Sequence, residues 1–249
     1  MSSTDTIRKF NRFELKYILT LEQVERLKKD LLKYVVPDAH AENGKYTLSS
    51  LYYDTPDRRH YWEKVEWLKF RRKLRIRRYV TDDAFDEDSK VYVEIKQRVD
   101  RVTQKRRAPM NYGDALRLIH EGIIPPHDDR DTQVIEEILH IAEENRLTPS
   151  AITTYNREAF FWTEHDQWLR ITFDTYVSYK TKYLNLGEPQ AEWYMLSPHL
   201  SILEVKANEK IPYWITELVA SHGIKLIRIS KYCQAVEIGA LGTKMMLTG

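Results

Sequence analysis

Glycine and cysteine are the scarce residues of this 249-residue chain, with eight of the first and one of the second. There is no Gly-x-x-x-x-Gly-Lys-Ser/Thr loop and no dinucleotide glycine fingerprint, so phosphate capture would rest on side chains rather than on a glycine-rich backbone. The lone Cys233 excludes an internal disulfide and a multi-cysteine metal site, and reads as a small buried hydrophobe. The eight histidines show no His-x-x-x-His spacing, which removes the commonest helical metal motif. No apolar run approaches the roughly 20 residues of a membrane helix, and the opening MSSTDTIRKFNRF lacks the apolar core of a signal peptide. A reducing, cytoplasmic location is the expectation.

What the chain does have is charge. Charged residues make up 31% of it and hydrophobic ones 42%, the balance of a folded chain rather than a disordered one. The net charge of +2 averages over local excess. Lys64 to Arg78, KVEWLKFRRKLRIRR, carries eight basic residues against Glu66 alone, and the acidic loop DDAFDED, 82–88, offsets it.

Periodicity predicts an α+β fold on a mostly antiparallel sheet. Helical spacing fits Leu21–Tyr34 with Thr20 as N-cap, then Asp57–Val65, Tyr112–Glu121, Thr132–Asn145 and Pro212–His222. Strands fit Tyr46–Thr55, Lys69–Val80, Lys90–Val99, the stretch DRVTQKRRA, Thr153–Trp162, Trp168–Tyr176 and His199–Ala207; the segment IRISKYCQAVEIGAL reads as a strand feeding a helix. No Ser/Gly linker divides the chain, so residues 1–249 read as a single domain.

Three strands repeat the pattern Glu-apolar-Lys: RFELKY, VYVEIKQR and SILEVKA. Alternation puts acid and base on one face and the apolar residue on the other. The face so defined collects Arg12, Lys16, Arg71, Lys73, Arg75, Arg77, Lys96, Arg98, Arg170 and Lys206 against Glu14, Glu94, Asp174 and Glu204. One such strand alone reads as an ordinary solvated face. All of them together, with amphipathic helices available for the apolar faces, form a basic surface that calls for an anion. Two like charges ~6 Å apart repel by roughly 3 kcal/mol at an effective dielectric of ~20. Phosphate oxygens relieve that repulsion, and arginine forks suit them. The carboxylates suit a hard divalent cation or pairing with neighbouring lysines; Glu204 is the leading metal ligand, with Glu14, Glu94 and Asp174 behind it. Glu14 and Glu94 are expected chiefly to hold Lys16 and Lys96. Tyr52, Tyr53 and Trp67 offer rings to a base, although packing is the commoner role.

The segments RFELKY, SLYYDTPD, KLRIRRY, VEIKQR, TYNREAF, RITFDT, LEVK and RISKY, in this order, resemble the VTC domain, the polyphosphate polymerase branch of the CYTH-like triphosphate tunnel metalloenzymes. The resemblance implies an eight-stranded antiparallel β-barrel whose interior is a charged tunnel, with helices packed outside. It implies transfer of the terminal phosphoryl group of ATP, or another nucleoside triphosphate, to inorganic polyphosphate with Mn2+ or Mg2+. By position, Lys16, Arg75, Arg77, Lys96, Arg157 and Arg170 match catalytic phosphate ligands. Lys64, Lys105, Lys206, Arg228, Ser230 and Lys231 match further substrate contacts, and Glu204 the metal ligand. Arg228 stands where lysine is usual, which keeps the charge but changes the donor geometry. Hydrolysis of tripolyphosphate or a nucleotide, or polyphosphate binding without turnover, are the alternatives. A long nucleic acid is disfavoured because carboxylates interleave the cations. A membrane-protein partner, as in the eukaryotic assemblies, is left open by the sequence.

Overall fold

The computed structural model describes residues 12–39, 42–100, 102–162, 169–188, 193–208 and 210–242. Its strands are β1 (Arg12–Thr20), β2 (Val35–Pro37), β3 (Lys45–Asp54), β4 (Phe70–Val80), β5 (Lys90–Val99), β6 (Val102–Asn111), β7 (Thr148–Trp162), β8 (Arg170–Lys180), β9 (Leu200–Asn208) and β10 (Lys225–Leu226). The helices are α1 (Leu21–Leu31), α2 (Arg59–Val65), α3 (Tyr112–Glu121), α4 (Thr132–Glu144), α5 (Tyr213–Ser221) and α6 (Lys231–Gly239). All strands pair antiparallel in one sheet of order β10-β1-β9-β8-β7-β3-β4-β5-β6, with β2 on β7.

The antiparallel α+β sheet agrees with the strand pattern, whereas the closed eight-stranded barrel that the family resemblance implies is not what the structure has. Among the described residues the sheet has ten strands, and no ladder joins β6 to β1. The free edge of β1 is taken instead by β10, through Tyr17 with Leu226 and Ile18 with Lys225, and by the Ile227 amide, which donates to the Lys16 carbonyl at 2.8 Å. The sheet still curls far enough for side chains to cross the gap: Lys96 of β5 reaches Glu14 of β1 at 3.2 Å.

Each apolar strand face meets a helix pair. Leu51, Tyr53, Leu74, Ile76, Val93 and Ile95 pack beneath Leu118 of α3 and Ile135, Ile138 and Ile141 of α4. Phe173, Leu203 and Val205 pack beneath Val24, Leu27 and Leu31 of α1 and Ile215 of α5. These helix residues recur every three or four positions, and that stripe is what each helix buries. A third cluster lies on the inner face, where Leu48, Tyr52, Tyr155, Val177 and Ile202 meet Tyr232, Cys233 and Val236 of α6. Cys233 is buried there, as its composition-level reading expects.

Smaller departures have local causes. Helix α1 starts at the expected N-cap Thr20, which the structure completes into a capping box with Gln23, but it ends at Leu31. Tyr34 leaves it to stack on Trp214, 4.4 Å between centroids, and Val35–Pro37 becomes an added strand. Strand β7 begins at Thr148 rather than Thr153, with Pro149 opposite Tyr53 at a register shift. Trp168, expected to open β8, lies outside the described residues. Among the described residues no helix is long and apolar enough to cross a membrane.

Candidate functional site

The pleat of β4 turns Arg71, Lys73, Arg75 and Arg77 to the concave side and sends Leu74 and Ile76 into the core under α3 and α4. The four neighbouring carboxylates, Glu14, Glu94, Asp174 and Glu204, face the same space. Asp174 and Glu94 are 0% and 1% exposed, which an unpaired carboxylate could not sustain.

Each carboxylate has found cations. Glu94 Oε2 accepts from Arg75 Nε at 2.8 Å and Nη2 at 2.5 Å, and its Oε1 pairs with Lys105 at 2.5 Å. Arg77 stands 3.7 Å away and donates to Ser50 and Tyr155 hydroxyls, both at 3.2 Å. Asp174 takes the Arg157 fork at 2.6 and 2.7 Å and Lys231 at 2.5 Å. Glu204 accepts Lys206 at 2.7 Å, and lies 3.5 Å from both Lys16 and Arg157. Glu14 pairs with Lys16 at 3.1 Å and Lys96 at 3.2 Å. Lys16 Nζ also donates to the Ile229 carbonyl at 3.1 Å, tying β1 to the segment that leads into α6.

This pairing corrects one expectation. Glu94 holds Arg75 and Lys105, not Lys96, because Arg75 lies directly opposite it on β4. The lysine two residues along does pair in the other two copies, Lys16 with Glu14 and Lys206 with Glu204, but at Glu94 both carboxylate oxygens are taken by Arg75 and Lys105. Lys96 crosses to Glu14 instead.

The network sets protonation. Burial pushes the Glu14 carboxyl up, but Lys96, Lys16 and Lys206 outweigh it and hold it near about 2. Asp174 is likewise buried, and Arg157 with Lys231 brings it down to about 2. Glu204 is held well below the ordinary carboxylate range, burial being overcome by Lys206, Lys16 and Arg157. The bases split: Lys16 is raised by its two glutamates against burial, whereas burial takes Lys206 down to about 7 and Lys105 to about 8. Tyr52 receives the Arg75 Nη1 hydrogen bond at 2.8 Å, and its phenol falls to about 8 because Arg75 and Arg77 overcome burial.

A second group of cations has neutral partners only. Lys73 Nζ donates to Ser230 Oγ and approaches Cys233 Sγ, both at 3.3 Å, and lies over the Tyr232 ring. Lys64 and Arg228 lie over the Trp67 ring, and Arg98 donates to the Asp100 carbonyl. Among the described residues no carboxylate pairs with Lys64, Arg71, Lys73, Arg98 or Arg228. Burial and repulsion from Arg71, Lys73 and Lys16 lower Lys64 to about 8.

The structure thus brings together Lys16, Arg75, Arg77, Lys96, Lys105, Arg157, Lys206, Lys231 and the four carboxylates. Lys64, Arg228 and Ser230 gather around Trp67 and Lys73. Arg170 borders the first group, directly opposite Lys206 on β9, with its guanidinium on Asp38 at 3.1 Å and the Tyr46 hydroxyl at 2.6 Å. The side chain of Arg12 lies outside the described residues. Ser230 caps α6, accepting from the Cys233 amide, so the positive end of that helix opens toward Lys73.

Sequence reasoning passed over the phenols of Tyr52 and Tyr155, and over Asp54 in SLYYDTPD. Asp54 is fully buried; it accepts the Thr55 and His60 amides at 2.8 Å, the Tyr61 amide at 3.0 Å, and the Tyr232 hydroxyl. It fixes the start of α2 and the first turn of α6 to one carboxylate. Its signal was the acid closing a strand just before a helix.

Among the described residues no group of three or more His, Cys, Asp or Glu side chains is placed to hold a metal. Glu14 and Glu204 come nearest, since both reach Lys16 Nζ.

The family model of the VTC domain matches residues 11–239. No curated protein sequence matches the chain. Among solved structures, it resembles a Hippeastrum protein described as an adenylyl cyclase with a dominant triphosphatase activity. That match has a TM-score of 0.50, 15% identity, and covers 94% of this chain and 96% of that one. A Bacillus halodurans protein described as an adenylate cyclase matches with a TM-score of 0.46 and 13% identity, over 87% of this chain and 92% of that one.

Proposed function

The chain belongs to the VTC domain family, and from that premise we propose that it is a metal-dependent polyphosphate polymerase. It moves the terminal phosphoryl group of a nucleoside triphosphate, ATP foremost, onto a growing inorganic polyphosphate chain. We take residues 1–249 as one domain and the concavity of the curled sheet as the tunnel the family implies. The observation that carries the reading is the converging set of Lys16, Arg75, Arg77, Lys96, Lys105, Arg157, Lys206 and Lys231 around the buried Glu94, Asp174 and Glu204 and the half-buried Glu14. The cations outnumber the acids, and the surplus is the charge a phosphate chain would neutralise.

Phosphoryl transfer asks little covalent work of the protein, so positioning and charge neutralisation dominate. Arg75, Arg77 and Arg157 have their forks oriented by Glu94, Ser50, Tyr155 and Asp174, and meet phosphate without reorganising. Lys16, Lys96 and Lys206 are point charges on short carboxylate tethers, free to turn onto oxygen atoms of the substrate. Arg170 binds further along, and Ser230 with Lys231 adds a hydroxyl and an ammonium at the α6 N-terminus.

The donor set suits a hard cation of modest demands. Glu204 and Glu14 offer oxygen ligands within reach of one lysine, and Mg2+ or Mn2+ commonly takes one or two carboxylates and completes its shell with phosphate oxygens and water. Held there, such a metal would supply charge neutralisation to the phosphate oxygens. Glu94 and Asp174 are held bidentately or doubly by cations and serve as orienting anions.

Incubation with ATP and Mn2+ is expected to yield long phosphate chains on a gel; release of free phosphate alone would sink the polymerase reading in favour of hydrolysis. Glu204→Gln is expected to abolish turnover while tripolyphosphate still raises the melting temperature by linkage.

A further inference from the structure

Trp67 sits where a helix normally ends on glycine. Past Val65, the Glu66 amide donates to the Trp62 carbonyl at 2.8 Å, and the Leu68 amide reaches back to the Glu63 carbonyl at 3.0 Å. That six-to-one bond is a Schellman closure with Trp67 at the left-handed position, φ 60°. Glycine is favoured there because any Cβ crowds the following carbonyl. Burial does not compensate, since the tryptophan is 56% exposed. Neither backbone geometry nor core packing accounts for this residue.

What the indole touches does account for it. Lys64 Nζ lies 4.2 Å and the Arg228 guanidinium 4.7 Å from the ring centroid. A carboxylate could orient two cations equally well, as Glu94 does for Arg75 and Lys105, but it would cancel part of their charge. A ring quadrupole orients them and leaves the charge whole. From Trp67 a line of bases leads inward: Arg71 stands opposite Arg98, Lys73 opposite Lys96, and Lys96 opposite Lys105, where the carboxylate-held group begins. Lys64 feels Arg71, Lys73 and Lys16 electrostatically, which places it on this line.

We propose that Trp67 is a positioning residue that holds Lys64 and Arg228 without a carboxylate in ion-pair contact, as a guide subsite for the distal phosphates of a long polyphosphate chain. The inference rests on the phosphate-chain reading of the site. Short ligands fill the carboxylate-held group and do not reach Trp67; long ones run past it.

The test compares binding of tripolyphosphate and of long-chain polyphosphate to the full chain, in wild type, Trp67→Gly and Trp67→Phe, across a salt series. Glycine relieves the left-handed backbone, so this variant is expected to keep its melting temperature. It should bind tripolyphosphate as wild type does and lose roughly tenfold in long-chain affinity, with a shallower salt dependence. Phenylalanine, which keeps a ring, should restore most of the loss. A Trp67→Gly protein that binds both ligands like wild type, or weakens for both alike, overturns the proposal while leaving the phosphate-chain reading intact. Wild-type protein that binds neither ligand overturns both.

Discussion

Two stretches of β4, a few residues apart on one face, hold their cations by opposite means. Arg75 and Arg77 are fixed near the buried Glu94, so charge is oriented by countercharge. Lys73 and Arg71 have no carboxylate among the described residues, and Lys73 leans on a hydroxyl, a thiol and a phenol ring. The first arrangement stabilises the empty protein. The second leaves repulsion in place until an anion arrives, and the depressed Lys64 ammonium registers it.

Removing the countercharge should break this contrast most sharply. Glu94→Gln leaves the largely buried Arg75 without its countercharge beside the more exposed Lys105, and losing one partner of a buried pair costs about 3 kcal/mol. The expected fall in melting temperature is on the order of 10 °C, partly recovered on adding tripolyphosphate. A variant that melts like wild type would mean the carboxylates do not hold the cations.

The next effect is on binding. Burial lowers Lys206 to about 7 and Lys105 to about 8, against roughly 10.4 for a free lysine. Phosphate favours the protonated amines, so affinity is present below these values and declines as pH rises through them. Titration calorimetry with tripolyphosphate between pH ~7 and ~9 should show roughly a tenfold loss. Lys206→Arg, whose charge does not titrate here, should remove the lower part of that decline. A flat wild-type profile would contradict the assignment.

The smallest effect has the opposite sign to the first. Lys73→Met relieves repulsion and leaves the Ser230 cap on α6 intact, so the melting temperature without ligand should hold or rise by a few degrees, of the order expected for ~1 kcal/mol. Its stabilisation by tripolyphosphate should shrink. A marked drop in melting temperature without ligand would show that Lys73 contributes to the fold.

Much of this site was legible in the sequence because strand alternation is a local rule. Arg71, Lys73, Arg75 and Arg77 were placed on one face by spacing alone, and so were Glu204 and Lys206, which pair along their strand at 2.7 Å. Partner choice across strands was not legible, since it depends on register. Lys96 and Glu14 are 82 residues apart and meet only because the sheet curls. Glu-apolar-Lys therefore looked like one device used three times, whereas Glu94 serves the strand opposite. The open barrel was hidden for a related reason: the edge of β1 is occupied by Lys225 and Leu226, two residues too few to announce a strand by pattern. Trp67 was visible as an aromatic, but its left-handed backbone was not.

Asp54 gives the arrangement a mechanical side. It receives the amides at the start of α2 and the hydroxyl from the first turn of α6. The helix bearing Lys64 and the helix bearing Lys231 therefore hang from one peg. Lys231, which faces the site, and Tyr232, which bonds the carboxylate that seats α2, are neighbours in one turn, and Trp67 lies two residues past the end of α2. Tyr61 of α2 also packs in one buried cluster with Tyr232 and Cys233 of α6, so the centre and the rim of the site share a single seat in the fold.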